Sequence, residues 1–103
     1  MTSDLQLPHG VGLARSTPTF DEESVPAGLL AAHRVADGVW GRLVVSSGSV
    51  RFVFESDDAV VSNELRMVHP RVVSGGEVQV IPPGRPHHLE VVGPVTFCVE
   101  FYR

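Results

Sequence analysis

Short runs of β-branched and aromatic residues, separated by turn residues, are the feature that most constrains the fold of this chain. Each run has the length of a β-strand, and no segment carries a long apolar pattern at helical spacing. The best helical candidate, residues 22–34, contains Pro26 and Gly28, which interrupt a helix. The sequence therefore predicts one all-β domain, a sandwich or small barrel, within its 103 residues. The predicted strands are residues 29–35, 39–46, 49–55, 63–68, 77–81, 88–92 and 95–102.

The clearest local signal is a hairpin in residues 42–54. Ser47 and Gly48 form a plausible tight turn between two of the predicted strands. After this turn Val50, Phe52 and Phe54 alternate with other residues, so one face of the hairpin is predicted to be core.

Composition and charge exclude several classes of protein. Apolar residues make up 43% and charged residues 19% of the chain, which argues against disorder. No apolar run approaches the roughly 20 residues of a membrane helix, and the N-terminus lacks the basic start of a signal peptide. The single cysteine, Cys98, fits a reducing compartment, so we expect a cytoplasmic protein with no membrane partner. The net charge is −4 and the eight basic residues are scattered arginines, so we expect no nucleic-acid partner.

One stretch, residues 76–88, indicates a binding site. It reads Gly-Glu-Val-Gln-Val-Ile-Pro-Pro-Gly-Arg-Pro-His-His, in which three prolines stiffen the turn before the two histidines. Alternation along the following strand puts His87 on the same face as Leu89, and His88 on the same face as Glu90. His87 is therefore the better candidate for an inward-facing ligand.

The spacing of Gly76, Pro82, Gly84 and His87 resembles the second signature motif of the cupin superfamily. The asparagine that ends this signature is absent, and of the first signature only His33 remains. Residues 20–33, 39–45, 80–83 and 97–103 look closer to small cupin-like proteins related to the N-terminal domain of tellurite-resistance methyltransferases. The resemblance implies a double-stranded β-helix, also called a cupin barrel or jelly roll, over residues 19–103, with residues 1–18 as an N-terminal arm. It also implies a metal site and an association with tellurite or with oxidative and nitrosative stress.

The resemblance implies His33, His87 and Glu100 as ligands of a divalent metal ion. Two imidazoles and a carboxylate suit Zn, Fe, Ni or Mn, and the set leaves positions open for water or a small ligand. Alternation alone favours the opposite orientation for Glu100, with Val95, Phe97 and Val99 in the core. If Glu100 faces inward, a second subunit or the N-terminal arm has to cover those apolar residues, so a homodimer is expected. His88 and Glu90 are the alternative ligands if the register differs by one residue.

Three further residues are candidates for contact with a small-molecule or anionic ligand. Arg42 can bind an anion or hold Glu100, Trp40 can form an aromatic wall, and Cys98 shares a face with Glu100. Each also has a structural interpretation, as an exposed sheet position, a core or interface tryptophan, and an inert thiol. The expected function is metal and ligand binding in a stress response. The alternative is a small metal-dependent enzyme of the oxygenase, isomerase or hydrolase type.

Overall fold

The computed structural model describes residues 5–55 and 70–103, which form six antiparallel strands and one short helix. The strands are joined in one sheet in the order β1-β6-β3-β4, with β2 beside β6 and β5 beside β3. The predicted mostly-β class is therefore confirmed. The elements are β1 (Leu13–Ser16), β2 (Phe20–Asp21), α1 (Ala27–Leu30), β3 (Trp40–Phe54), β4 (Arg71–Ser74), β5 (Val78–Ile81) and β6 (His87–Tyr102).

Strands β3 and β6 are much longer than the sequence predicts. They pair along nearly their whole length, from Trp40 opposite Tyr102 to Phe54 opposite His87. The prediction of a hairpin turn at Ser47 and Gly48 is wrong, because both residues lie inside β3, where the pairing with β6 is irregular. Gly48 has a φ of 71°, a left-handed conformation that glycine adopts without steric cost.

The predicted strand over residues 29–35 is also wrong. Its first part belongs to α1, and of the remainder only His33 makes a β-bridge, to His87. The predicted strand over residues 63–68 lies outside the described residues. Helix α1 has four residues, and no helix in the described part of the chain is long and apolar enough to cross a membrane. Part of the predicted N-terminal arm forms β1, which pairs with the C-terminal half of β6.

The hydrophobic core lies on one face of β3 and β6, which we call the inner face. Leu43 and Val45 are buried in the first half of β3, whereas Val50 and Phe52 are buried in the second half. The irregularity around Gly48 therefore shifts the alternation by one residue and keeps both halves facing the same core. On β6 the buried residues are Leu89, Val95, Phe97 and Val99.

Candidate functional site

His33 and His87 form the most distinctive polar feature of the inner face. The backbone N–H of each residue donates to the carbonyl of the other, at 3.0 and 2.9 Å. The two imidazole centroids are 4.1 Å apart, and the His87 ring also stacks on Phe52 at 5.4 Å. The two backbone hydrogen bonds thus hold the main chains of His33 and His87 together, and Phe52 also packs on the His87 ring.

Backbone carbonyls determine which nitrogen of each histidine carries a hydrogen. Nδ1 of His33 lies 2.9 Å from the carbonyl oxygen of Ala31, and Nδ1 of His87 lies 3.0 Å from that of Arg85. A carbonyl only accepts hydrogen bonds, so both Nδ1 atoms are donors, and Nε2 is the remaining nitrogen of each ring. Burial lowers the pKa of His87 to about 4, although the Arg85 carbonyl acts in the opposite direction. His87 is therefore neutral at physiological pH.

A small cavity of about 10 Å³ adjoins the two imidazoles. This volume holds about one water molecule or one ion. His87 is only 2% exposed, whereas His33 is partly exposed, so access from solvent is on the His33 side. The remaining cavity walls are apolar and come from Leu29, Leu43, Phe52, Ile81, Leu89 and Val99.

Glu100, the third predicted metal ligand, lies on the outer face of the sheet. Its neighbours Val99 and Phe97 are buried on the inner face, so strict alternation turns Glu100 away from the histidines. This placement corrects the inward orientation that the cupin resemblance implies. The structure therefore does not bring the three predicted ligands together, and the apolar row of β6 needs no second subunit to cover it.

Glu100 is instead held by Arg42 and Tyr102. One carboxylate oxygen accepts hydrogen bonds from Arg42 Nε at 2.9 Å and from the Tyr102 hydroxyl at 2.7 Å, and it lies 2.7 Å from Arg42 Nη2. Burial alone would raise the pKa of Glu100, but these two partners hold it below its ordinary value. Glu100 is therefore ionised at physiological pH and structurally engaged.

The other predicted ligand-contact residues share this outer face. Trp40 lies opposite Tyr102, Arg42 opposite Glu100, and Val44 opposite Cys98. The structure thus brings Trp40, Arg42 and Cys98 together with Glu100, but on the side of the sheet away from His33 and His87. Burial and the nearby Glu100 charge raise the pKa of the Cys98 thiol, so it is protonated at neutral pH.

The alternative ligands His88 and Glu90 are engaged with each other. His88 Nδ1 lies 2.5 Å from Glu55 Oε2, and its Nε2 lies 2.9 Å from Glu90 Oε2. Glu90 also pairs with Arg51 at 3.2 Å. Hydrogen bonds to Glu90 and Glu55 raise the pKa of His88, which favours its protonated form at the centre of this network. Among the described residues, no group of three or more histidine, cysteine, aspartate or glutamate side chains has the arrangement of a metal site.

The sequence patterns do not single out Tyr102, although its hydroxyl orients Glu100. The available signal is spacing, because two residues on one strand place both side chains on the same face. The patterns also do not bring together Arg15, Arg34 and Arg103, which line one cavity of the fold. Because the three are far apart in the sequence, no local spacing could have revealed their proximity.

The geometry therefore defines a small antiparallel β domain with a histidine pair on its inner face, one histidine buried and the other partly exposed. The family model of the TehB-like domain matches residues 15–99, and the chain belongs to this family. The resemblance to tellurite-resistance proteins is thus confirmed at the family level. The chain is 28% identical to "Uncharacterized protein YeaR" of Escherichia coli strain K12 over 102 residues, covering 95% of this chain and 82% of that protein. The protein of the same name from E. coli O157:H7 gives the same values.

Two solved structures have a similar fold. The crystal structure of a protein from E. coli strain K12 matches with a TM-score of 0.79 and 25% identity, covering 96% of both chains. The crystal structure of TehB from Haemophilus influenzae matches with a TM-score of 0.77 and 17% identity. That second match covers 91% of this chain but only 32% of the TehB chain. The chain thus corresponds to about a third of TehB.

Proposed function

We propose that this chain is a binding domain of the cupin type in which His33 and His87 hold a divalent metal ion. The observation that carries the proposal is the orientation of the two imidazoles. Each ring donates its Nδ1 hydrogen to a backbone carbonyl, an arrangement usual for metal-binding histidines, because it fixes the tautomer and leaves Nε2 for the metal.

The charge state of His87 supports the same function. Metal ions bind neutral imidazole and compete with protons for it. Because burial lowers the pKa of His87 to about 4, this ring needs no deprotonation at neutral pH. The adjoining cavity of about 10 Å³ has the dimensions of a single ion or water.

The donor set fits a metal in type but supplies only two protein ligands from the described residues. Imidazole nitrogen suits Zn, Fe(II), Ni and Cu, and two such ligands leave several coordination positions for water or a small ligand. Such a ligand would approach from the partly exposed His33 side. When bound, the metal would supply a Lewis-acidic or redox-active centre for that ligand.

Ligand binding is favoured over turnover. General acid–base catalysis requires a titratable group beside the reacting atoms. The two imidazoles are the titratable groups that the described residues contribute to the cavity, and the proposal uses both as metal ligands. The other walls are apolar, so they supply no further acid or base. The cupin-type double-stranded β-helix and a role in stress response remain parts of this proposal. A homodimeric state stays a prediction, although the burial of Phe97 and Val99 within one chain removes the reason given for it.

Metal titration of protein without a polyhistidine tag tests the proposal. We expect wild type to bind one Zn(II) or Ni(II) ion per chain by calorimetry. His33→Gln and His87→Gln should each weaken binding by about tenfold or more, because each removes one of two protein ligands. His9→Gln is the matched control, since His9 is exposed and distant in sequence from both ligands.

Two results would refute the metal site. One is the absence of metal binding by wild type at near-millimolar metal. The other is equal affinity in wild type and both ligand variants, which would assign binding to other groups. Thermal unfolding of each variant checks that lost binding does not reflect lost folding.

A further inference from the structure

A second cavity, which we call the arginine groove, is lined by residues of β1, of the loop before β3 and of the end of β6. It shares no lining residue with the cavity beside the histidine pair. Its volume is about 390 Å³, within the range of small-molecule sites, about 300–1,000 Å³. Its charged lining consists of Arg15 on β1, Arg34 in the loop before β3, and Arg103 after β6. Its apolar lining includes Val35, Val39 and Phe101.

The groove is cationic although the whole chain is acidic. The chain has a formal net charge of −4, yet three of its eight arginines line this cavity, and none of the described lining residues is acidic. Guanidinium groups stay protonated at all physiological pH values. The positive charge of the groove is therefore permanent.

Two arginines elsewhere on the sheet are paired with carboxylates. Arg42 pairs with Glu100, and Arg51 pairs with Glu90. Arg15 and Arg103 differ, because neither forms an ion pair with any described residue.

The neighbours of Arg15 and Arg103 among the described residues orient them without neutralising them. The Arg15 guanidinium lies over the Phe101 ring, 4.4 Å from its centroid, and stacking through the face leaves the in-plane N–H groups available. Arg34 donates from Nη1 to the Gly84 carbonyl at 3.1 Å, which fixes its position. The Arg103 backbone exchanges two hydrogen bonds with Gly12, both 3.1 Å, which fixes the base of its side chain.

We propose that the arginine groove binds a small organic anion, with a carboxylate or phosphate group between Arg15 and Arg103. The apolar part of the ligand packs against Val35, Val39 and the free area of Phe101. Arginine forks match the oxygen geometry of both anion types. This inference rests on the groove alone and is independent of the histidine pair.

Calorimetric or NMR titration with four probes tests the groove. The probes are phenyl phosphate, benzoate, inorganic phosphate and benzyl alcohol. We expect phenyl phosphate or benzoate to bind at least about tenfold more tightly than benzyl alcohol, because charge-assisted hydrogen bonds are lost with the neutral probe. Binding should weaken as ionic strength rises.

Charge-matched variants locate the site. Arg15→Gln and Arg103→Gln should each weaken binding of the anionic probe by about tenfold. Arg51→Gln removes the same charge outside the groove, and its affinity should stay within about twofold of wild type. Arg15, Arg51 and Arg103 are all exposed residues, so we expect the three variants to fold, and thermal unfolding verifies this.

Three outcomes would overturn the inference. Equal affinity for phenyl phosphate and benzyl alcohol would show that the charge of the ligand does not contribute to binding. Equal weakening in Arg51→Gln would show a response to overall charge and not a site. Equal affinity for inorganic phosphate and phenyl phosphate would show that the groove does not recognise an apolar group, so the ligand would not be an organic anion. Preference between benzoate and phenyl phosphate distinguishes a carboxylate from a phosphate ligand.

Discussion

Substitution of Gly48 by alanine should be one of the most destabilising single-methyl changes in this protein. Gly48 has a φ of 71°, and a Cβ atom there would lie 2.0 Å from the Pro94 carbonyl oxygen. The left-handed conformation costs alanine about 1–2 kcal/mol. The clash with backbone of β6 adds about 1–3 kcal/mol, as in other overpacked sites. We therefore expect the free energy of unfolding to fall by about 2–5 kcal/mol in Gly48→Ala.

Gly76→Ala is the matched control. Gly76 has a similar φ of 88°, but a Cβ atom there would meet nothing within 4 Å. This variant should lose only the conformational part, about 1–2 kcal/mol. Urea denaturation followed by the fluorescence of the single tryptophan, Trp40, measures both variants by linear extrapolation.

The comparison between the two variants is decisive for the register of β3 on β6. If Gly48→Ala and Gly76→Ala have the same denaturation midpoint, the close approach of Gly48 to Pro94 does not exist. The pairing of Gly48 with Val95 and the irregularity beside it would then be incorrect.

Two further predictions concern the core and the ion-pair network. Leu43→Ala should lower the free energy of unfolding by about 3–5 kcal/mol, because Leu43 is 0% exposed. Val72→Ala, at a position 54% exposed, should lower it by less than about 1 kcal/mol, and similar losses in both variants would contradict the assigned core. The pKa of His88 is raised above 6.5 by Glu90 and Glu55, so its stabilisation is complete below about pH 6.5 and is lost as pH rises through the folded-state pKa. The stability advantage of wild type over His88→Gln should therefore shrink as pH rises above about 6.5, and an advantage that grows with pH would contradict this assignment.

The local pattern of the sequence predicts much of the sheet. Short β-branched runs identify the segments that form β3, β5 and β6, and alternation places Phe97 and Val99 in the core. The same pattern cannot show that residues 40–54 form one strand. A glycine flanked by serines looks the same in a hairpin turn and in a bulge, and only pairing with β6 distinguishes them.

Glu100 illustrates how a family resemblance and a local pattern can disagree. The resemblance implies an inward carboxylate, whereas alternation predicts an outward one. The outward orientation holds in the structure, because turning Glu100 inward would expose Phe97 and Val99 to solvent, at about 25 cal/mol per Å² of apolar area. Arg42 and Tyr102 then provide the carboxylate with its partners on the outer face.

The sequence by itself determined the β class, the stiff turn before His87 and the alternation that makes His87 an inner-face residue. These properties depend on neighbouring residues and on the two-residue period of a strand. The tertiary structure decided that His33 bridges to His87, that Glu100 lies away from both, and that Arg15, Arg34 and Arg103 share one groove. Such proximity depends on which distant segments pair, and the free energy of that pairing is shared among many contacts that no local pattern contains.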